Sequence, residues 1–303
     1  MADKKKTAEK KQRNKEFFWG WVFFAPTLAG LLVLNIIPIF QTIYKSFFQV
    51  GAFGRGNRFV GLENYLEMLG DSQVWQSLVN TFVYAILEVP ISIAISMVLA
   101  ALLNRKIRGR SVYRTIYFLP MVAAPAAVAM VWRWLYNSEF GLLNHMLRTI
   151  GLGSINWISN PNLALVSVAI VGIWSVIGYN MVLFLAGLQE IPGDYYEAAE
   201  IDGAGPVRQF FSITLPLISP TMFFVTTTRI IAAMQVFDVI YMMIDRSNPA
   251  LPRTQSLVYL FYKYSFIESN QGYGSAIVVL LLLIIMILTV IQNAAQKKWV
   301  TYN

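Results

Sequence analysis

Four charged side chains fall inside strongly apolar stretches: Glu88, Arg133, Arg229 and Asp238. A charge in hydrocarbon is costly, so each is a functional candidate by default. Arg229 lies ten residues beyond Ser219, near the middle of its stretch, and Asp238 lies nearer the end. The planar guanidinium of Arg229 could hydrogen-bond several hydroxyls at once, or pair with Glu88 or with carbonyls of a neighbour. On one continuous helix Arg229 and Asp238 project about 180° apart and make poor partners. Arg133, between Trp132 and Trp134, is placed to snorkel to a membrane surface. The same stretches carry Trp174, Tyr179, Asn180, Thr226, Thr227, Thr228, Gln235 and Tyr241. Rings that stack and amides that meet hydroxyls suit an uncharged, polyhydroxylated ligand, although these residue types also hold helices together in lipid. The candidates for a substrate path are therefore Trp174, Tyr179, Asn180, Arg229, Gln235, Asp238 and Tyr241.

Catalytic chemistry has little support. The chain has no cysteine and one histidine, His145, so no thiol catalyst and no histidine or cysteine metal cluster is expected. G-x-x-x-x-G-K-[ST], H-E-x-x-H and G-x-S-x-G do not occur, so no catalytic residue and no metal ligand is assigned. If ATP drives a process here, another polypeptide hydrolyses it.

The elements that must position these residues are membrane helices. Of 303 residues, 56% are hydrophobic and 13% charged, too apolar for a soluble domain of this length. Six segments are long enough to span: Phe17–Phe40, Leu78–Leu103, Thr115–Tyr136, Leu163–Leu188, Ser219–Ile244 and Gly272–Ala294. The apolar segment after the lysine-rich start is about twice the ~7–15 residues of a signal-peptide core and reads as an uncleaved anchor. Segments placed inside by a cytoplasmic N-terminus hold fifteen lysines and arginines, and the outer segments hold seven. Both termini and the segment 189–218 are thus expected in the cytoplasm. The net charge of +8 reads as topology and as attraction to anionic lipid, not as nucleic-acid binding. The expected organisation is a basic cytoplasmic segment 1–16, a six-helix transmembrane domain 17–296 and a cytoplasmic tail 297–303. Among the outer segments, Phe59–Tyr65 reads as a turn into a short amphipathic helix. The aromatic run Tyr259, Phe261, Tyr262, Tyr264 and Phe266 reads as an interfacial anchor or a docking rim.

Segment 189–218 is polar yet structured. Asp194 and Glu197 have the spacing of an acidic capping box. Asp202-Gly203-Ala204-Gly205-Pro206 stops one short helix and starts another. The second, Val207–Thr214, is expected to end before Leu215-Pro216. Ala198, Ala199, Gly203 and Ala204 leave little bulk, so another surface could approach closely. Glu197-Ala198-Ala199, then Gly203, then Ile213 and Leu215-Pro216 nine residues later, resembles the EAA loop of ATP-binding-cassette (ABC) importer permeases at every fixed position. The resemblance implies an all-α integral membrane protein of the type I importer architecture. It also implies that Glu197, Ala198, Ala199, Asp202, Gly203, Ala204, Ile213, Leu215 and Pro216 couple a separate ATPase to the pore.

Beyond the loop, Phe59–Tyr65, Arg114–Pro120, Leu185–Pro192, Gln235–Tyr241 and Tyr273–Ala276 are similar to the carbohydrate-uptake branch of these permeases, the branch with the maltose-transporter type. A departure follows Tyr241: the glycine-rich turn common in that branch is replaced by Ile244-Asp245-Arg246-Ser247-Asn248-Pro249. The resemblance implies a heterodimer with a second permease, two ATPase copies that carry ATP and magnesium, no cofactor on this chain, and an extracytoplasmic solute-binding protein. The expected cargo is a sugar or oligosaccharide. An importer of another polar solute, such as a glycerol phosphate ester, is the alternative, and the competing class is a membrane protein working without an ATPase, either an intramembrane enzyme, which would need a catalytic cluster not found here, or a stand-alone secondary transporter. The latter would show broken helices at matching positions of inverted repeats, and no such repeats are visible in the sequence.

Overall fold

A computed structural model describes residues 2–50, 57–105 and 108–300. Arg55, Lys106 and the end of the tail, 301–303, lie outside the described residues.

The chain begins with a single rod. Helix α1 (Ala2–Leu31) passes through a widened π turn, Leu32–Ile36, into α2 (Ile37–Ser46). The π turn ends two residues before Pro38, whose missing N–H leaves the ladder one donor short. The helix therefore reaches back through the basic segment 1–16 to Ala2, and Asn14–Ser46 is long and apolar enough to cross a membrane.

The outer segment that follows holds a two-residue antiparallel pairing of β1 (Phe48–Gln49) with β2 (Arg58–Phe59). Gly61, at φ +57, then turns the chain into α3 (Glu63–Gly70), as the Phe59–Tyr65 pattern predicts.

Helix α4 (Ser72–Asn104) is a second span. The third is broken. Helices α5 (Arg110–Val122) and α6 (Pro125–Leu135) meet at 99°. Pro125 pushes Ala124 into extended backbone, and Ala123 before it is extended too, at ψ 143. Thr115–Tyr136 is therefore not one straight helix. After α7 (Leu142–Thr149), α8 (Ala164–Gln189) runs unbroken.

Three glycines of α8 make three helix contacts, as small residues do in lipid where packing drives association. A methyl group on Gly172 would collide with the Tyr84 hydroxyl of α4. One on Gly178 would meet the Tyr117 carbonyl of α5, and one on Gly187 the Thr221 hydroxyl of the fifth span. Ser96 adds a hydrogen bond to the Ile177 carbonyl at 3.0 Å.

Segment 189–218 forms α9 (Asp194–Ile201), α10 (Pro206–Gln209), a π turn Phe210–Thr214 and α11 (Leu215–Leu217), which bends by 69° into α12 (Ser219–Met234). The fifth span then breaks at Gln235–Phe237, before α13 (Asp238–Met243). Ser219–Ile244 is not a single helix, so the opposed-face relation of Arg229 and Asp238 does not hold: they sit on different helices.

The segment Asp245–Gln271 folds back into the molecule. Helix α14 (Leu257–Tyr262) and a π turn, Lys263–Ile267, climb beside α4. At the deep end the Leu257 amide donates to Thr81 Oγ1 at 3.1 Å. At the shallow end the Tyr264 hydroxyl donates to Asp71 Oδ2 at 3.2 Å. Ten residues separate Thr81 from Asp71, about 15 Å along a helix. Asn80 satisfies the buried turn by donating to the Pro252 and Gln255 carbonyls, both at 3.0 Å. Tyr259 of the aromatic run is thereby buried, whereas Phe266 stays exposed. Helix α15 (Gln271–Trp299) closes the chain. One apolar cluster fills the outer half of the helix pack. A second, around Met97, Met181, Phe184, Leu188 and Ile218, fills the cytoplasmic half.

Candidate functional site: a cytoplasmic elbow and the path beside it

The elbow is built by local backbone chemistry. Asp194 is the first helical residue of α9, and Gly193 is its cap, with no side-chain cap bond. The acidic capping box is thus not formed. Asp194 and Glu197 instead favour α9 as negative charges at its positive end. The C-terminus closes as a Schellman motif. Gly203 takes φ +73, its amide donates to the Glu200 carbonyl at 3.0 Å, and the Ala204 amide donates to the Ala199 carbonyl at 2.8 Å. Pro206 opens α10, and Gln209 Nε2 donates back to the Ala204 carbonyl at 3.0 Å.

The helix does not stop before Leu215-Pro216. A π turn carries it through, with the Leu215 amide reaching the Phe210 carbonyl. Shifting the bonding pattern by one residue absorbs the missing donor of Pro216. Tyr196 and Thr214 share a hydrogen bond at 3.0 Å, which ties the two short helices into one body.

The open face of the elbow mixes exposed charge with apolar bulk. Glu197, Ala198, Asp202 and Gly203 are exposed, Ala199 and Ala204 are half-buried, and Ile201 and Val207 project at 87% and 72% exposure. Ile213 and Leu215 are half-buried, and Pro216 is exposed. Phe210 packs against the cytoplasmic-half cluster, so the elbow is anchored on one side and open on the other.

The path candidates divide into separate groups. Glu88 and Arg229 meet at 2.6 Å between α4 and α12, with Glu88 fully buried and Arg229 at 14% exposure. This single contact offsets the charge of the guanidinium that was a candidate for ligand hydroxyls, while its Nε keeps no hydrogen-bond partner among the described residues. Arg133 does not simply snorkel. It grips Asp245 through two hydrogen bonds, at 2.7 and 3.2 Å, a bidentate geometry that fixes orientation. Asp245 belongs to the departure noted after Tyr241. Two further residues pin that loop outside: Asn248 reaches the Ile158 carbonyl at 3.2 Å, and Arg253 reaches Asn162 at 2.8 Å.

Both helix breaks open onto one recess of about 280 Å³, lined by Pro120, Ala123, Pro125, Ser175, Asp238 and apolar neighbours. Gln235 is exposed at the second break, and Tyr241 stacks on Phe237 at 5.1 Å. Trp174, next to the lining residue Ser175, sits edge-on to Trp132 at 5.6 Å. Tyr179 and Asn180 lie more than a turn further toward the cytoplasm on α8. Asn180 is fully buried, and its amide has no partner among the described residues. Sequence reasoning missed the recess itself. Pro120 and Pro125 were the available signal for the first break, because a proline in a span frees backbone groups that something must answer.

The chain matches, over residues 92–301, the family described as the binding-protein-dependent transport system inner membrane component. It belongs to that family and is a multi-pass membrane permease subunit of an ABC importer, without an ATPase of its own. It is 35% identical to the sn-glycerol-3-phosphate transport system permease protein UgpA of Yersinia enterocolitica, with 93% of this chain and 95% of the relative covered. It is 32% identical to the trehalose/maltose transport system permease protein MalF of Thermococcus litoralis, with 93% and 94% covered. The fold superposes on a bacterial alginate ABC transporter in complex with alginate pentasaccharide-bound periplasmic protein. The TM-score there is 0.85 at 19% identity, over 95% of this chain and 96% of that one.

Proposed function

We propose that this permease carries an uncharged sugar or oligosaccharide into the cell by alternating access. The observation that carries this reading is the buried Glu88–Arg229 pair. An anion such as a glycerol phosphate ester needs a cation free to meet it, and the mid-membrane arginine is already neutralised. The one ionisable side chain among the described lining residues of the recess, Asp238, has the wrong sign for an anion. The half-helix ends at the two breaks offer backbone donors and acceptors at membrane depth, where broken helices serve as solute sites. Trp174 adjoins the lining residue Ser175, and Gln235 and Tyr241 flank Asp238 in the chain, from where they would supply ring faces and an amide.

The working assembly is this chain with a second permease of the same fold, two ATPase subunits holding ATP and magnesium, and an extracytoplasmic solute-binding protein. Residues 189–218 are the coupling element, with Glu197, Ala198, Ala199, Asp202, Gly203, Ala204, Ile213, Leu215 and Pro216 at or behind the contact. The relative with glycerol phosphate in its name keeps the anion as the second reading. Uptake into proteoliposomes holding the complete transporter decides between them. Labelled maltose, trehalose and longer oligosaccharides are compared with labelled sn-glycerol-3-phosphate, each with the cognate binding protein. Saccharide uptake that glycerol phosphate fails to compete supports the proposal. ATP-dependent uptake of glycerol phosphate alone overturns it.

A further inference from the structure

Helix α5 opens with Arg110 and, one turn on, Arg114, and both placements are unfavourable for that helix. Cations at a helix N-terminus oppose its dipole, and like charges at i, i+4 repel. Its cap is Gly109 at φ +78, with no side-chain bond to offset this. Neither arginine has a carboxylate within 4 Å among the described residues. The Nε atoms of both are buried without a hydrogen-bond partner among those residues. What gathers them is the last residue of α8: with the Gln189 side-chain amide assigned so that its oxygen faces the two guanidinium groups, the orientation that hydrogen bonding demands, it accepts from Arg110 Nη2 at 2.7 Å and from Arg114 Nη2 at 3.3 Å. This is also the negative end of α8, so the two charges favour the neighbouring helix and not their own.

Gln189 is the root of the elbow. Eleven residues earlier on α8, Gly178 lies against the Tyr117 carbonyl of α5. Helix α5 is therefore held to α8 at two levels, yet it joins α6 only through the extended pair Ala123–Ala124. A segment clamped at one end and hinged at the other follows its clamp.

We propose that Arg110 and Arg114 are positioning residues. Through Gln189 they carry movement of the elbow's root to α5 and swing the cytoplasmic half of the third span about the Ala123–Ala124 break. This rests on reading residues 189–218 as the coupling element. The test uses the complete transporter in lipid, with spin labels on Val112→Cys and Met130→Cys, both exposed positions in a chain without native cysteine. The distance between labels is measured with and without ATP and vanadate, beside ATPase activity.

The expected result is an ATP-dependent distance change in the parent protein. That change is lost in Arg110→Gln/Arg114→Gln and in Gln189→Ala while ATP is still hydrolysed, and Arg110→Lys/Arg114→Lys restores part of it. Uptake per ATP falls about tenfold in the glutamine variant, within the usual range of coupling between sites. Assembly and ATPase activity falling together in all three variants would mark a structural role and overturn the proposal. So would a distance change that persists in the glutamine variant, or none in the parent. Gly203→Asp separates the two readings. If it abolishes stimulated ATPase activity while the arginine variants behave as the parent, only the clamp fails. If it leaves ATPase activity and the distance change intact, the elbow reading itself fails.

Discussion

At the scale of single residues, two positions concentrate the physics. The Glu88–Arg229 pair is fully desolvated on one side, so removing one partner strands a charge. Arg229→Met alone is expected to destabilise by about 3–5 kcal/mol, whereas Glu88→Leu with Arg229→Met restores most of the loss. Thermal unfolding in detergent, followed by tryptophan fluorescence, reads both. Gly203 illustrates a different cost. A methyl there meets nothing within 4 Å, so space is no obstacle, but φ +73 is the left-handed region. Gly203→Ala should cost about 1–2 kcal/mol, all of it local. Hydrogen exchange should speed up at the amides of Gly203 and Ala204, which close the Schellman motif, and stay unchanged in α4 and α8.

At the scale of elements, contact and sequence part ways. Gly178→Val places bulk against the Tyr117 backbone and should separate α5 from α8, lowering the unfolding temperature sharply. Gly193→Val, where a Cβ meets nothing, should leave the unfolding temperature near that of the parent in the same measurement. The elbow was legible beforehand because its signals are local: glycine for the left-handed turn, proline for the next helix start. The break between α5 and α6 carried a local sign in Pro125, but six apolar runs of spanning length masked it. The break at Gln235–Phe237 carried no sign at all, having neither glycine nor proline. There the Val236 carbonyl accepts from Ser256 Oγ at 2.6 Å, a partner twenty residues away. The Glu88–Arg229 contact joins residues 141 apart. It was one of several open pairings because helix periodicity fixes a face and not a neighbour.

At the scale of the whole molecule, the outer and cytoplasmic halves differ in kind. The outer half is cross-braced by polar contacts that Asp71, Asn80, Asp245, Asn248 and Arg253 each make to other elements, and the cytoplasmic half ends in an elbow whose outward face is open among the described residues. Asp71 is the outer keystone. It caps α4 and accepts from both Tyr264 at 3.2 Å and Tyr273 at 2.8 Å. Asp71→Ala should therefore loosen the fold-back segment. Limited proteolysis would show new cleavage within residues 245–271 and none in the elbow.

That fold-back segment also bears on how the protein is made. The apolar helix Leu257–Ile267 is too short to cross a bilayer. An insertion machinery that sorts nascent chain by length and hydrophobicity would pass it to the outside as ordinary loop. Its receptors, Asn80 and Thr81, belong to a span synthesised some 170 residues earlier. Its other neighbour, α15, leaves the ribosome afterwards. Because α15, one wall of its seat, is synthesised after it, the segment cannot complete its contacts until the last span has been made.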